Sequence, residues 1–140
     1  ATSPDLMPTI LQLAGFEIPD FVQGTSLVPL MRGDPSPIHD LAITSWPLYN
    51  PGQTIRVVDD LERTVIEPLP STITDGEWTL LYAVRGEPVE LYHLPSDPKQ
   101  EKNVFEGNES NARDLHARFV AFLEEVGTAE GHVGPRRRLQ

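Results

Sequence analysis

The chain is predicted to be an α+β protein: a small antiparallel sheet of about four strands packed against a C-terminal amphipathic helix, with a short separate helix in front. Three observations predict it. Runs of strand composition, STIT (71–74), EWTLLYAV (77–84) and VELYHL (89–94), follow one another through tight turns, and strands joined that tightly pair antiparallel. Leu115, Phe119, Phe122, Leu123 and Val126 recur at steps of four, three, one and three, which makes one apolar helical face. The 14 prolines and 10 glycines among 140 residues favour short elements with long connections.

The first element is the helix in DLMPTILQLAG (Asp5 to Gly15). Pro8 inside a helix would remove a hydrogen bond unless it falls in the first turn, so Asp5, rather than Ser3, is expected as N-cap, its carboxylate facing the free amides that follow. Ile10, Leu11, Leu13 and Ala14 form the face to be buried, and Gly15 stops the helix. At about nine residues it cannot stand alone in water and must dock on a larger body. The stretch 16–37, punctuated by six prolines and glycines, reads as a surface loop with a single helical turn at 27–31. LAITSW (41–46) and TIRVV (54–58) have strand composition, separated by PLYNPGQ, and an acidic connection follows. Asp75-Gly76 is a hairpin signal, and Arg85-Gly86-Glu87-Pro88 marks the next turn. The last helix, capped by Asn108 or Ser110, ends at Gly127. The expected division is 1–37, helix plus loop; 38–127, sheet plus helix; and 128–140, a solvated tail ending in the Arg136–Arg138 run.

Composition narrows the function. With 39% hydrophobic and 23% charged residues the chain suits one compact body with one core. A net charge of −10 argues against nucleic acid or an anionic membrane as partner. The chain holds no cysteine, so disulfides, thiolate metal sites and a cysteine nucleophile are excluded within it. No apolar stretch is long enough to span a bilayer. The chain begins without Met and its first helix lacks a body to lie on, which points to a piece of a longer protein.

Chemistry is sparse. His39, His93, His116 and His132 share no ligand spacing and read as surface or structural residues. Asp59-Asp60 reads as a solvated turn rather than a cation site. There is no G-x-S-x-G elbow and no phosphate loop. Arg32-Gly33-Asp34 spells an adhesion tripeptide, but its glycine is more simply the close of a helical turn. Asn108-Glu109-Ser110 is a glycosylation sequon that reads better as a helix cap. No catalytic residue and no metal ligand is expected in these 140 residues.

Two blocks are more specific. DLMPTILQLAGFEIPDFVQGTSLVPLMRG resembles the stretch closing the catalytic domain of sulfatases, where D-hydrophobic-x-P-T-hydrophobic-L-x-L-A-G leads to G-x-S-L-x-P. The matching residues are Asp5, Pro8, Thr9, Leu11, Leu13, Ala14, Gly15, Pro19, Gly24, Ser26, Leu27 and Pro29. DGEWTLLY and VELYHLPSDPKQEKNVF resemble the C-terminal subdomain of the same family, with its G-x-W/Y-K and E-L-Y-D-L, x-x-D-P-x-E-x-x-N-L patterns. His93 replaces the usual aspartate, Thr79 a common lysine and Val104 a common leucine.

The resemblance implies a parent enzyme that hydrolyses sulfate esters, member of the alkaline phosphatase superfamily. The C/S-x-P-x-R motif that matures to formylglycine and the calcium-binding Asp and Asn residues of sulfatases lie mostly upstream of this stretch. The resemblance therefore places both cofactors in a catalytic part that is absent, a larger α/β core with a parallel sheet on which the first helix would lie. It implies two partners, the chain's own upstream catalytic domain and a small-molecule sulfate ester, and no activity for these residues alone. The loop after LAITSW is the candidate for substrate binding: Trp46 and Tyr49 can stack on a ring, Asn50 can bond a hydroxyl, and Pro47 and Pro51 stiffen it. Two other readings stand beside this one: the same region of a phosphonate or phosphate diester hydrolase of the superfamily, and a non-catalytic binding module.

Overall fold

Pro8 occupies the third position of helix α1 (Leu6–Leu13), where its missing N–H costs no intrahelical bond. The computed structural model describes residues 2–45, 70–84 and 88–139. It divides the chain into Ala1–Ala42 and Ile43–Gln140, a boundary after residue 42 where residue 37 was expected.

In the first unit, a single 3-10 turn, Ser3–Asp5, leads into α1. Asp5 stands at the expected N-cap position of α1, but its backbone is already helical (φ −72°, ψ −18°) and its side chain makes no capping bond to the helix. The helix ends at Gly15, and α2 (Val28–Met31) is the single turn expected near 27–31. Among the described residues nothing covers the apolar face of α1. Pro8 and Thr9 are buried, whereas Ile10 is 64% and Leu13 58% exposed and Ala14 is also exposed. An eight-residue helix this open is not held by its own hydrophobic packing. Polar bonds hold it instead.

The second unit carries one four-stranded sheet in the order β1 (Ala42–Ser45), β2 (Ser71–Thr74), β3 (Trp78–Tyr82), β4 (Glu90–His93). β2 pairs with β3 and β3 with β4, both antiparallel, as the tight connections require. The β2–β3 turn works as its composition demands. Gly76 takes φ 93°, which an L side chain resists, and the Asp75 carboxylate accepts from the amides of Glu77 (3.0 Å) and Trp78 (2.9 Å). Register places Ile73, Leu80 and Leu91 side by side, all fully buried. Tyr82 and Val84 are buried, and Trp78 is half-buried. Leu80→Ala removes the middle of this rung and is expected to cost about 3 kcal/mol in chemical denaturation. The segments 54–58 and 85–87 lie outside the described residues.

Helix α3 (Glu109–Glu125) packs on β2 and β3. Its buried stripe is Ala112, Leu115, His116 and Phe119, spaced three, one and three. The expected face continued through Phe122 and Val126, but these are 40% and 48% exposed, so only the first half of the helix meets the sheet. Asn108 stands at the expected N-cap position, but its side chain makes no capping bond; its side-chain amide donates instead to the Val104 carbonyl (2.8 Å). The expected solvated tail is also corrected. Helix α4 (Glu130–Val133) and a 3-10 turn, Gly134–Arg136, fold back, Val133 is 1% exposed, and the Tyr82 hydroxyl donates to the Arg138 carbonyl (3.0 Å).

His116 lies beneath this return, its ring 4.8 Å from that of Tyr82. Among the described residues its Nε2 has no hydrogen-bond partner. Burial lowers its pKa, only partly offset by a hydrogen bond to the Arg136 backbone. The unfolded chain then binds more protons than the folded one below the ordinary value of 6.5, so stability falls as pH drops through that range. Denaturation midpoints of the native protein are expected to fall between pH 7.5 and 5.5, and His116→Phe should flatten that fall. Equal slopes for the two would remove the assignment.

Candidate functional site

The two motif blocks resolve into two polar assemblies. In the first, the Asp5 carboxylate is fully buried and receives the Thr25 amide (2.9 Å), the Thr2 amide (2.5 Å), the Thr2 hydroxyl (3.0 Å) and His39 Nε2 (2.8 and 2.9 Å to its two oxygens). A carboxylate can only accept, so Nε2 of His39 carries the proton. Burial alone would raise the Asp5 pKa. The Thr2 and Thr25 amides, His39 and the Thr2 hydroxyl outweigh it and hold the carboxyl well below its usual range. Thr9 adds a relay: its hydroxyl donates to the Asp5 carbonyl (2.6 Å) and accepts from the Leu27 amide (2.8 Å).

Gly24 completes this assembly sterically. A Cβ there would stand 2.0 Å from the Pro4 carbonyl oxygen, so only glycine lets the loop approach the turn before α1. The spaced pattern D-x-x-P-T with G-x-S-L is thus one local structure: Asp5 and Thr9 bind the backbone at 25 and 27, and Gly24 makes room. Ser26 accepts the Val28 amide (3.2 Å) at the start of α2.

The second assembly follows β4. Asn103 Oδ1 accepts the amides of Leu91 (3.1 Å) and Phe105 (2.9 Å), while its Nδ2 donates to the Val89 carbonyl (3.3 Å). The Val104 amide donates to the Leu91 carbonyl (2.8 Å), so this short segment acts as an extra mate for β4. Asp97 accepts from the amides of Lys102 (2.9 Å) and Glu101 (3.1 Å), which lower its pKa. Tyr92 donates to Glu90 (2.5 Å), and that bond pushes its phenol up to about 12. Asp97 and Asn103 are therefore loop fastenings.

One constellation has the residue types of nucleophilic catalysis. His93 Nδ1 lies 2.8 Å from Ser96 Oγ, and its Nε2 lies 3.7 Å from Glu77. The ring rests on Trp78, centroids 4.6 Å apart. Ser96, however, also bonds the His93 carbonyl (3.3 Å), and Glu77 is 65% exposed and beyond hydrogen-bond reach. His93 here caps its own turn through Ser96, a task an aspartate could also perform. The expectation of structural histidines fits His39, His93 and His116, though the partners of His39 and the burial of His116 had no local sequence signal.

Trp46, Tyr49 and Asn50, the expected substrate loop, lie outside the described residues, as does Asp59-Asp60. Among the described residues no three His, Asp or Glu side chains gather as a metal site, and no helix is long and apolar enough to cross a membrane.

Over 136 residues the chain is 27% identical to an arylsulfatase of Clostridium perfringens, which takes in 97% of this chain and 25% of that protein. The chain spans about a quarter of the length of this curated relative. A solved structure from Bacteroides thetaiotaomicron, described with the metabolism of multiple glycosaminoglycans, superposes with TM-score 0.63 and 21% identity over 97% of this chain and 30% of that one. The phosphonate monoester hydrolase of Agrobacterium radiobacter superposes with TM-score 0.59 and 21% identity over 91% and 25%. No family model matches. At such identities the superpositions show the fold.

Proposed function

We propose, from the likeness of this chain to the C-terminal portion of sulfatases, that it is the closing region of an enzyme hydrolysing sulfate esters, and that its task is to pack on the catalytic domain and shape the substrate cleft. The observation that carries the reading is the collinear match: a single alignment to an arylsulfatase runs through 97% of this chain, taking in both motif blocks. Both blocks are used for structure, which suits a region that supports chemistry performed elsewhere.

Formylglycine and calcium would belong to the catalytic part, where they would supply the nucleophile and neutralise the sulfate. The exposed side chains of Leu6, Ile10 and Leu13 on α1 would be covered by that same part. The loop after β1 would reach the cleft with Trp46, Tyr49 and Asn50 as its substrate contacts.

The test begins with the coding region upstream, which should contain C/S-x-P-x-R. The full-length protein should then turn over an aryl sulfate, and residues 1–140 alone should not. Trp46→Ala and Tyr49→Ala in the full-length protein should change the preference between substrates at unchanged melting temperature; unaltered kinetics in both would remove the loop assignment. The likeness to a phosphonate monoester hydrolase supports a second reading. Faster turnover of an aryl phosphonate monoester than of the aryl sulfate would select it.

A further inference from the structure

Beside the exposed half of α3 the second unit has an open cleft of about 300 Å³, at the lower end of the range for small-molecule sites. Phe122 and Leu123 form its apolar wall, Thr128 and His132 lie along it, and Arg136 stands at its side. Phe122, 40% exposed, lines this space rather than the core.

The charges around it are unevenly matched. Arg137 donates to both Glu124 and Glu130 on the neighbouring surface, and Arg118 pairs with Asp75. Arg136 donates from Nη1 to the His132 carbonyl (2.9 Å) and pairs with no carboxylate among the described residues, in a chain with 21 acidic side chains for 11 basic ones. Burial works against its positive charge, with only the neighbouring Tyr82 opposing that effect. A half-buried guanidinium keeps unused donors in a planar fork suited to an oxyanion, and the adjoining wall is apolar.

We propose that this cleft binds a small aromatic monoanion, its charged group on the Arg136 guanidinium and its ring against Phe122 and Leu123. The site rests on the cleft alone and is independent of the hydrolase reading. Failure of the sulfate ester assay would leave it standing.

The test is titration of the full-length protein with naphthalene-2-sulfonate, followed by ligand-observed NMR, with naphthalene-2-methanol as the uncharged control. Saturable binding is expected, about tenfold or more weaker for the alcohol and for Arg136→Gln, with Arg137→Gln within about twofold of the native protein. Phe122→Glu, a change at a solvent-exposed position, places a carboxylate beside Arg136 and should abolish sulfonate binding if the fold is kept, as judged by an unchanged melting temperature. Native-strength binding by Arg136→Gln or by folded Phe122→Glu, or no saturable binding to the native protein up to about 10 mM, would overturn the site.

Discussion

Asp5→Ala is expected to lower the stability of the first unit by about 4 kcal/mol, the range for removing one partner of a buried, hydrogen-bonded ionic group. The Thr25 amide, the Thr2 amide and His39 all lose their acceptor at once, and among the described residues no apolar packing of α1 compensates, since Ile10 and Leu13 are exposed there. Asp5→Asn keeps one acceptor oxygen but turns an NH₂ toward these donors, so a loss of about half that size is expected. Urea denaturation of the full-length protein, with hydrogen exchange read at the Thr25 amide, measures both. A shift below about 1 kcal/mol for Asp5→Ala would show that something else orders this unit. Acid should leave this contribution intact down to the ordinary carboxylate value of 3.8. Because the folded pKa is depressed, the stabilisation is whole above that pH and is lost only as pH falls toward the folded value. The His116 effect, which begins near 6.5, is therefore separable from it.

Gly24→Ala is expected to cost more than about 3 kcal/mol, among the large values that backbone incompatibility produces. The added methyl would sit 2.0 Å from the Pro4 oxygen and 2.8 Å from the Asp5 nitrogen, and neither backbone atom can swing aside as a side-chain end could. The loop must retreat, which takes the Thr25 amide away from Asp5. The double variant with Asp5→Ala should therefore lose less than the sum of the two single losses, a coupling that a double-mutant cycle would read directly. Strict additivity would mean the two residues act separately.

The hairpin and the helix ends were legible because their causes are local. Asp75-Gly76 carries both the acceptor and the left-handed glycine that its turn needs, and Gly15 and Gly127 stop helices within the same few residues. Asp5 was read as facing forward into α1 because a capping carboxylate is the local expectation; it turns back to Thr2 instead, and its other partners stand at Thr25 and His39, which no short window connects. The face of α3 was half right for a related reason. Periodicity states which residues share a side of a helix, not where the sheet beneath it ends, so Phe122 and Val126 were placed in a core that stops at Phe119. Residues 130–138 were read as a tail because three arginines mask one decisive apolar residue, Val133. The substrate loop, by contrast, remains a proposal drawn from the residue types of Trp46, Tyr49 and Asn50.

The bond from Tyr82 to Arg138 has a consequence for the order in which the molecule can be made. During synthesis the Asp5 assembly has all its partners once residue 39 has emerged, because His39 is the last of them. The second unit cannot finish then. Its sheet and α3 come out of the ribosome with the side of the core near His116 and Tyr82 still waiting for Val133 and Arg138, 56 residues beyond the tyrosine. A nascent chain halted before residue 130 would present that unfinished side to chaperones and proteases, whereas one halted after 138 would not.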